Sequence, residues 1–304
     1  LYGTVTFVPL SAKFSIEIMN KTLRLAIQKS GRLSEDSLKL IKECGISFSN
    51  GAGKLKTQAS DFPIEILFLR DDDIPGYVAD GVADIGIVGE NVAVEKRKNV
   101  RLVEKLGFSK CRLSIGVDKS FDYKGVESLQ GLEIATSYPN ILSDYLNEHK
   151  IKSGIHEISG SVEIAPSIGL ADAVCDIVSS GSTLISNGLK EAEVIFRSEA
   201  ILVAYPELEK EKLSILDDLL FRIKAVRTAQ NTKYILLNAP DQSIETITKL
   251  LPGVKSPTIM PLAEKGWSSI HSVVKESEFW DVIGKLKDAG AEGILVLPIE
   301  KIIR

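Results

Sequence analysis

The sequence predicts an α/β fold of two similar lobes with a cleft between them, followed by a small C-terminal ferredoxin-like domain. Three observations predict it. Short apolar runs alternate with helical patterns from residue 23 to about 205. Two stretches of that region resemble each other. After a long helical pattern the remaining residues reset to the order β-α-β-β-α-β.

Taken in order, strands are expected over 23–28, 64–70, 83–88, 112–117, 133–137, 175–179, 193–197 and 200–205. A helix over 34–44 would open at Ser34, a capping residue type, and stop at Gly45. Further helices are expected over 141–149 and 162–174. The segment 23–45 reads strand, polar turn, helix, and so does 132–150. Gly81-Val82-Ala83-Asp84-Ile85-Gly86-Ile87-Val88-Gly89 parallels Ala173-Val174-Cys175-Asp176-Ile177-Val178-Ser179-Ser180-Gly181. Two such lobes make a periplasmic-binding-protein-like core. Ligands of open α/β sheets lie outside the carboxyl ends of the strands, so both glycine turns should face the cleft. A helix over 206–229 carries Leu213, Ile215, Leu219, Leu220 and Ile223 on one side. The last domain needs strands over 233–238, 257–262, 269–274 and 293–298, with helices over 243–251 and 276–289: a ferredoxin-like, ACT-like plan. The expected domains are lobe I over 19–115 and 198–228, lobe II over 116–197, and a regulatory domain over 229–304. Residues 1–18 make a poor signal peptide. Met19 is the expected natural start, with an extension or cloning remnant before it.

Composition narrows the function classes. The 304 residues carry a formal net charge of −4 with no block of five or more like charges, which argues against a broad nucleic-acid face. Three widely spaced cysteines without a C-x-x-C pair fit a reducing cytoplasm better than a disulfide framework. Three histidines without an i,i+4 pair make a His/Cys metal cage unpromising, whereas Mg²⁺ held by carboxylates and phosphates needs no such cage. No apolar run approaches the roughly 18 residues of a membrane span.

Several clusters could carry chemistry. In the loop 176–184 an apolar strand runs into Ser179, Ser180, Gly181, Ser182, Thr183 and Leu184. Successive N–H groups in such a turn, with a helix starting behind it, form an anion nest. No lysine follows the glycine, so the loop is not a Walker A motif, and a sugar phosphate suits it better than a triphosphate. A bland polar turn has the same composition. Glu163, Asp172 and Asp176 lie just upstream and could bind ribose hydroxyls, or Mg²⁺ through water. Arg70-Asp71-Asp72-Asp73-Ile74-Pro75-Gly76 ends one strand; Arg70 suits phosphate, and Asp73 could cap the helix that follows. Lys29 and Arg32 flank Gly31 after the first strand, and Gly89-Glu90-Asn91 follows another.

Together these segments resemble one family, ATP phosphoribosyltransferase. The matching stretches are Ala26-Ile27-Gln28-Lys29-Ser30-Gly31-Arg32-Leu33, Leu69 through Gly76, Ile87-Val88-Gly89-Glu90-Asn91-Val92, Ile134-Ala135-Thr136-Ser137-Tyr138-Pro139, Gly160 through Pro166, Asp172 through Gly188, and Leu295-Val296-Leu297-Pro298-Ile299-Glu300-Lys301. The resemblance runs from Leu23 to the end. It implies that ATP and phosphoribosyl pyrophosphate, with Mg²⁺, give phosphoribosyl-ATP and pyrophosphate, the first step of histidine biosynthesis. It also implies that the loop 176–184 holds the 5-phosphate and ribose. Lys29, Arg32 and Arg70 are then the expected catalytic phosphate contacts, with Arg32, Arg70, Glu90 and Tyr138 on the nucleotide. Mg²⁺ would be held mainly by substrate phosphates, with Glu163 or Asp176 through water. The C-terminal domain matches the long form, which implies histidine as feedback inhibitor, with Ala291, Glu292 and Gly293 as candidate contacts, a hexamer built from dimers, and no separate regulatory subunit. Ser182 stands where the family more often has alanine, and the stretch between Asn91 and Leu106 is shorter than in familiar long forms.

Two other classes share parts of this plan. A non-catalytic solute-binding protein would also have a two-lobed cleft, but would call for an export signal. A phosphoribosyltransferase acting on a free base would lack the C-terminal domain and the Gln28–Leu33 motif.

Overall fold

The computed structural model describes residues 22–49, 55–179, 181–251 and 253–303. The expectation for residues 1–18 lies outside them. The chain divides into two compact units, one of residues 1–39 and 46–215, the other of residues 40–45 and 216–304.

The first unit runs β1 (Leu23–Gln28), α1 (Arg32–Glu43), β2 (Lys56–Gln58), β3 (Ile64–Leu69), α2 (Ile74–Ala79), β4 (Ile85–Gly89), α3 (Glu90–Lys96), β5 (Arg101–Lys105) and β6 (Cys111–Asp118). It continues through β7 (Glu133–Thr136), α4 (Pro139–Glu148), β8 (Gly154–Glu157), β9 (Ala173–Val178), α5 (Ser182–Ser186), β10 (Leu189–Ser198) and β11 (Ala200–Ala204), and α6 (Lys210–Gln230) begins in it. One sheet has the order β2-β3-β1-β4-β11-β5, the other β10-β6-β9-β7-β8. Each contains three parallel strands in which the earliest in the chain lies between the other two: β3-β1-β4 and β8-β7-β9. An antiparallel strand then closes the far side, β11 against β4 and β6 against β9. The internal likeness read from the sequence is therefore a shared topology.

The apolar runs explain the strand positions. Leu23, Leu25, Ala26 and Ile27 of β1 are fully buried, as befits a parallel strand covered on both faces. Ile85, Ile87 and Val88 of β4 are buried likewise. At the amino ends of β1 and β4 sits a buried charge cluster. Asp84 accepts the Arg24 backbone N–H at 2.7 Å and the Arg24 Nε–H at 3.4 Å. It also accepts Lys212 Nζ from α6 at 2.8 Å.

Some expectations need correction. The helix expected over 162–174 does not form. The segment makes two 3₁₀ turns, Val162–Ile164 and Pro166–Ile168, and then enters β9. Pro166 has no N–H to give, and Gly169 turns left-handed at φ 74°, so a continuous helix is blocked. Ser34 does not cap α1; the helix starts at Arg32, and Ser34 is buried within its first turn. Asp73 occupies the position before α2 but makes no side-chain cap bond. Strands β2, β5 and β8 and helix α3 were not anticipated.

The second unit contains β12 (Thr232–Pro240), α7 (Ile244–Leu250), β13 (Thr258–Pro261), β14 (Trp267–Lys275), α8 (Phe279–Asp288) and β15 (Glu292–Pro298). Its sheet order, β13-β14-β12-β15, is antiparallel throughout and is the ferredoxin-like arrangement expected. Ile235, Leu237, Ala239 and Ile270 on one sheet face pack with Ile247, Leu251 and Leu286 from the helices. On β12 and β14, the Tyr234 hydroxyl and His271 Nδ1 share a hydrogen bond of 2.7 Å.

Candidate active site

In each sheet the order of the parallel strands reverses, between β1 and β4 and between β7 and β9. Such switch points open a crevice at the carboxyl ends of the strands. At these ends stand Lys29, Gly89-Glu90-Asn91, Ser137-Tyr138 and Ser179 with Gly181. Side chains link the two sets. Asn91 Nδ2 donates to the Tyr138 hydroxyl at 3.2 Å. Asn91 is itself held by Ser198, whose Oγ donates to Asn91 Oδ1 at 2.8 Å and accepts the Asn91 N–H at 3.1 Å. The buried Glu95 carboxylate of α3 receives the Asn140 and Ile141 N–H groups at 2.9 and 3.0 Å, capping α4 from the other lobe. Tyr138, at the cap position itself, makes no cap bond.

The expected phosphate loop takes the form of a turn followed by a short helix. Gly181 is left-handed at φ 83°, which a side chain would strain, and α5 starts at Ser182. Ser182 and Thr183 are exposed, so their hydroxyls and first-turn N–H groups can meet an anion. Ser179 is exposed just before the turn. Ser180 lies outside the described residues. The Leu184 side chain is buried with Val174 and Val178, leaving only its backbone to the loop. It seats over Gly116, where a Cβ would meet Leu184 Cδ2 at 3.0 Å.

Glu163 and Asp176 lie near enough for the charge of one to act on the other. Burial first, then the charge of Glu163, raises the Asp176 carboxyl above its ordinary value, while the Ile177 N–H, donated at 2.7 Å, opposes the shift. Asp172 goes elsewhere. It accepts the Glu133 N–H at 2.9 Å at the amino edge of β7 and β9. With about 3.3 Å per residue, the length of β9 separates it from the loop by about 20 Å.

On the opposite side, Lys29 is exposed after β1, and its N–H anchors to Leu69 O at 2.8 Å. Arg32 opens α1, exposed, with Asp36 at 4.0 Å. Arg70 is exposed at the end of β3. Glu90 opens α3 and accepts Lys105 Nζ at 2.8 Å. Burial, followed by the charge of Asp176 and with smaller additions from Asp71 and Asp72, holds the Tyr138 hydroxyl well above the ordinary tyrosine range. Two features escaped the sequence reading. Arg112 and Glu191 pair beside the loop, and Asp71 has a buried Oδ1 with no hydrogen-bond partner, the one such atom among the described residues. A charged residue inside an otherwise apolar strand, as Arg112 is in β6, was the available signal.

Burial first, and Asp72 second, push Asp71 up to about 6 from 3.8. The folded state therefore binds this proton more tightly than the unfolded chain. Stability is greatest below pH 4 on this account and falls as pH rises through about 6. Asp71→Asn should gain about 1 kcal/mol at pH 8, an advantage that shrinks toward pH 4. Urea midpoints at pH 8 and 4.5 test this; an equal gain at both would defeat it.

For a cation, no group of three or more His, Cys, Asp or Glu side chains among the described residues is arranged to hold a metal. The Glu163 and Asp176 carboxylates would suit a cation reached through water rather than bound directly, because its charge would offset the effect of one on the other. Among the described residues no helix is long and apolar enough to cross a membrane.

The fold defines a class: an α/β core of two sheets with the same topology, with a ferredoxin-like domain after it. Sequence comparison takes the identification further. Residues 70–225 match the family described as ATP phosphoribosyltransferase, and residues 229–301 match its C-terminal domain. The ATP phosphoribosyltransferase of Cytophaga hutchinsonii is 75% identical over 286 residues, covering 94% of this chain and 100% of that protein. That of Phocaeicola vulgatus is 57% identical, covering 92% of this chain and 99% of that one. A chain in the ATP phosphoribosyl transferase (HisG:HisZ) complex from Thermotoga maritima is 31% identical with a TM-score of 0.56, covering 66% of this chain and 98% of that one. The chain belongs to the ATP phosphoribosyltransferase family, in the long form that carries the C-terminal domain.

Proposed function

We propose that the cleft between the β1–β4 and β7–β9 strand ends joins N1 of the adenine of ATP to the anomeric carbon of phosphoribosyl pyrophosphate. Phosphoribosyl-ATP forms and pyrophosphate leaves, the entry step of histidine biosynthesis. What supports this reading is the left-handed Gly181 turn just after the strand that carries Asp176, the charge of Glu163 acting on that carboxyl, and the exposure of the basic residues Lys29, Arg32 and Arg70.

The chemistry follows from charge. N1 has a free electron pair and no proton to remove, so the reaction needs no strong general base. Positive charge grows on the ribose ring and negative charge on the departing pyrophosphate. Gly181, Ser182 and Thr183, with Ser179, Ser180 and the Leu184 backbone, hold the 5-phosphate. Asp176 and Glu163 accept from ribose hydroxyls. Lys29, Arg32 and Arg70 meet the phosphates, and Glu90 and Tyr138 line the nucleotide side. Alignment and electrostatic stabilisation supply the acceleration. Glu163 or Asp176 would reach, through water, a Mg²⁺ held mainly by the substrate phosphates, and that ion would supply charge neutralisation on pyrophosphate.

The domains proposed are lobe I over 19–115 and 198–228, lobe II over 116–197, and a histidine-binding regulatory domain over 229–304, with the first boundary moved ahead of β6 because residues 111–115 pair with β9 and β10. In the last, Ala291 is buried while Glu292 and left-handed Gly293 are exposed, so histidine would meet the latter two and the Ala291 backbone. The working assembly is a cytoplasmic homo-hexamer built from dimers, without a separate regulatory subunit.

The test is incubation with ATP, phosphoribosyl pyrophosphate and Mg²⁺, followed by detection of phosphoribosyl-ATP. Histidine should inhibit the full chain, and a chain ending at Gln230 should lose that inhibition. Failure to form product defeats the catalytic reading. Equal inhibition of both chains defeats the regulatory one.

A further inference from the structure

We propose that Arg112 is a positioning residue for the phosphate loop, acting through the Ser179 carbonyl and held in place by Glu191. The proposal rests on the reading of 176–184 as the 5-phosphate loop.

Arg112 lies on β6, directly across from Val178, the last residue of β9. Its guanidinium is divided between two tasks. Nε and NH2 form a two-pronged ion pair with Glu191 of β10, NH2 lying 2.6 Å from Oε2. The remaining nitrogen, NH1, donates to the Ser179 carbonyl at 3.0 Å. Glu191 is held in turn, because Ser114 Oγ, fully buried on β6, donates to Oε1 at 2.7 Å. Each side chain of the pair is 27% exposed, so water competes only partly for these bonds. The Arg112 hydrogen bond first, and that of Ser114 after it, hold the Glu191 carboxyl below its ordinary value against the opposing effect of burial.

The Ser179 carbonyl stands where the chain leaves the sheet, two residues before the left-handed Gly181. Fixing it fixes the direction of exit, and with it where the N–H groups of α5 point. Leu184 seated over Gly116 of the same strand β6 fixes the other end of the turn. The loop is thus gripped by one strand at both ends. The rigid fork of arginine is what allows three bonds in one plane; lysine would keep the charge and lose that geometry. Arg112 is not assigned any contact with substrate. Its charge is matched by Glu191, and its effect is on where the loop donors stand.

The experiment uses the full chain and the variants Arg112→Lys and Glu191→Gln. Inhibition constants are measured for ribose 5-phosphate and for pyrophosphate, with KM for both substrates and the melting temperature. Arg112→Lys should raise KM for phosphoribosyl pyrophosphate and Ki for ribose 5-phosphate about tenfold. KM for ATP and Ki for pyrophosphate should stay within about twofold, since neither ligand uses the 5-phosphate turn. Glu191→Gln, which keeps one acceptor oxygen, should show the same pattern more weakly. The proposal is overturned if the Ki for ribose 5-phosphate does not change. It is equally overturned if all four constants worsen together with a fall in melting temperature, the pattern of general loosening. If the unsubstituted chain neither makes phosphoribosyl-ATP nor binds ribose 5-phosphate, the functional reading itself has failed.

Discussion

Asp176→Ala should lower kcat/KM for phosphoribosyl pyrophosphate roughly 100-fold while KM for ATP changes little. Asp176 lies inside β9, ahead of the loop, yet its side chain is on the cleft side. After burial, its charge is the next cause that raises the Tyr138 hydroxyl, and the charge of Glu163 adds to the burial that raises the Asp176 carboxyl itself. One oxygen receives the Ile177 N–H at 2.7 Å. The carboxylate still carries a desolvation penalty that ribose hydroxyls would relieve when the sugar binds. A charged acceptor bonded to hydroxyls beside a carbon gaining positive charge binds the transition state more tightly than the ground state. Asp176→Asn keeps one acceptor oxygen and should fall between alanine and the natural residue. Steady-state kinetics at saturating ATP decide the matter, and an unchanged kcat/KM would remove Asp176 from the site.

The second large effect concerns stability. Asp84→Ala should destabilise the first unit by roughly 3–5 kcal/mol. The Asp84 side chain is 5% exposed and satisfies a backbone N–H, the Arg24 guanidinium and Lys212, itself 12% exposed. Its removal leaves two cations and one N–H without their acceptor in a desolvated place. The cluster lies at the amino ends of β1 and β4, opposite the proposed site. Turnover per folded molecule should therefore hold while the urea midpoint drops sharply. Arg24→Ala should cost less, because that side chain is about one-third exposed and can return to water. Equal losses for the two substitutions would contradict this ranking.

How much was legible in the sequence depended on burial. Strand β1 begins and ends where the pattern put it, because an all-apolar parallel strand leaves no ambiguity of face. The six elements of the C-terminal sheet unit were likewise legible, since alternation and helical spacing change sharply between them. The missed strands lie at sheet edges or are very short. β5 reads Arg-Leu-Val-Glu-Lys, and β8 reads Gly-Ile-His-Glu. Edge strands carry charge to avoid pairing with other chains, and the same charge hides them from a hydrophobicity pattern. The false helix at 162–174 came from weighing apolar spacing above Pro166 and Gly169. At the site, sequence reasoning located the loop and the basic turns, which are contiguous motifs. It missed Arg112, Glu191 and Glu95, whose roles arise from pairings between strands or lobes far apart in the chain.

The interleaving of strands also bears on how the protein is made. The β6–β10 sheet comes from one unbroken stretch of chain, whereas β4 waits for β11, more than a hundred residues downstream, to cover its edge. At synthesis rates of roughly 5–20 residues per second, that edge stays bare for about 5–20 seconds on the ribosome. The lobe encoded second can therefore complete its fold first, and the lobe encoded first is the one a nascent-chain chaperone has reason to guard.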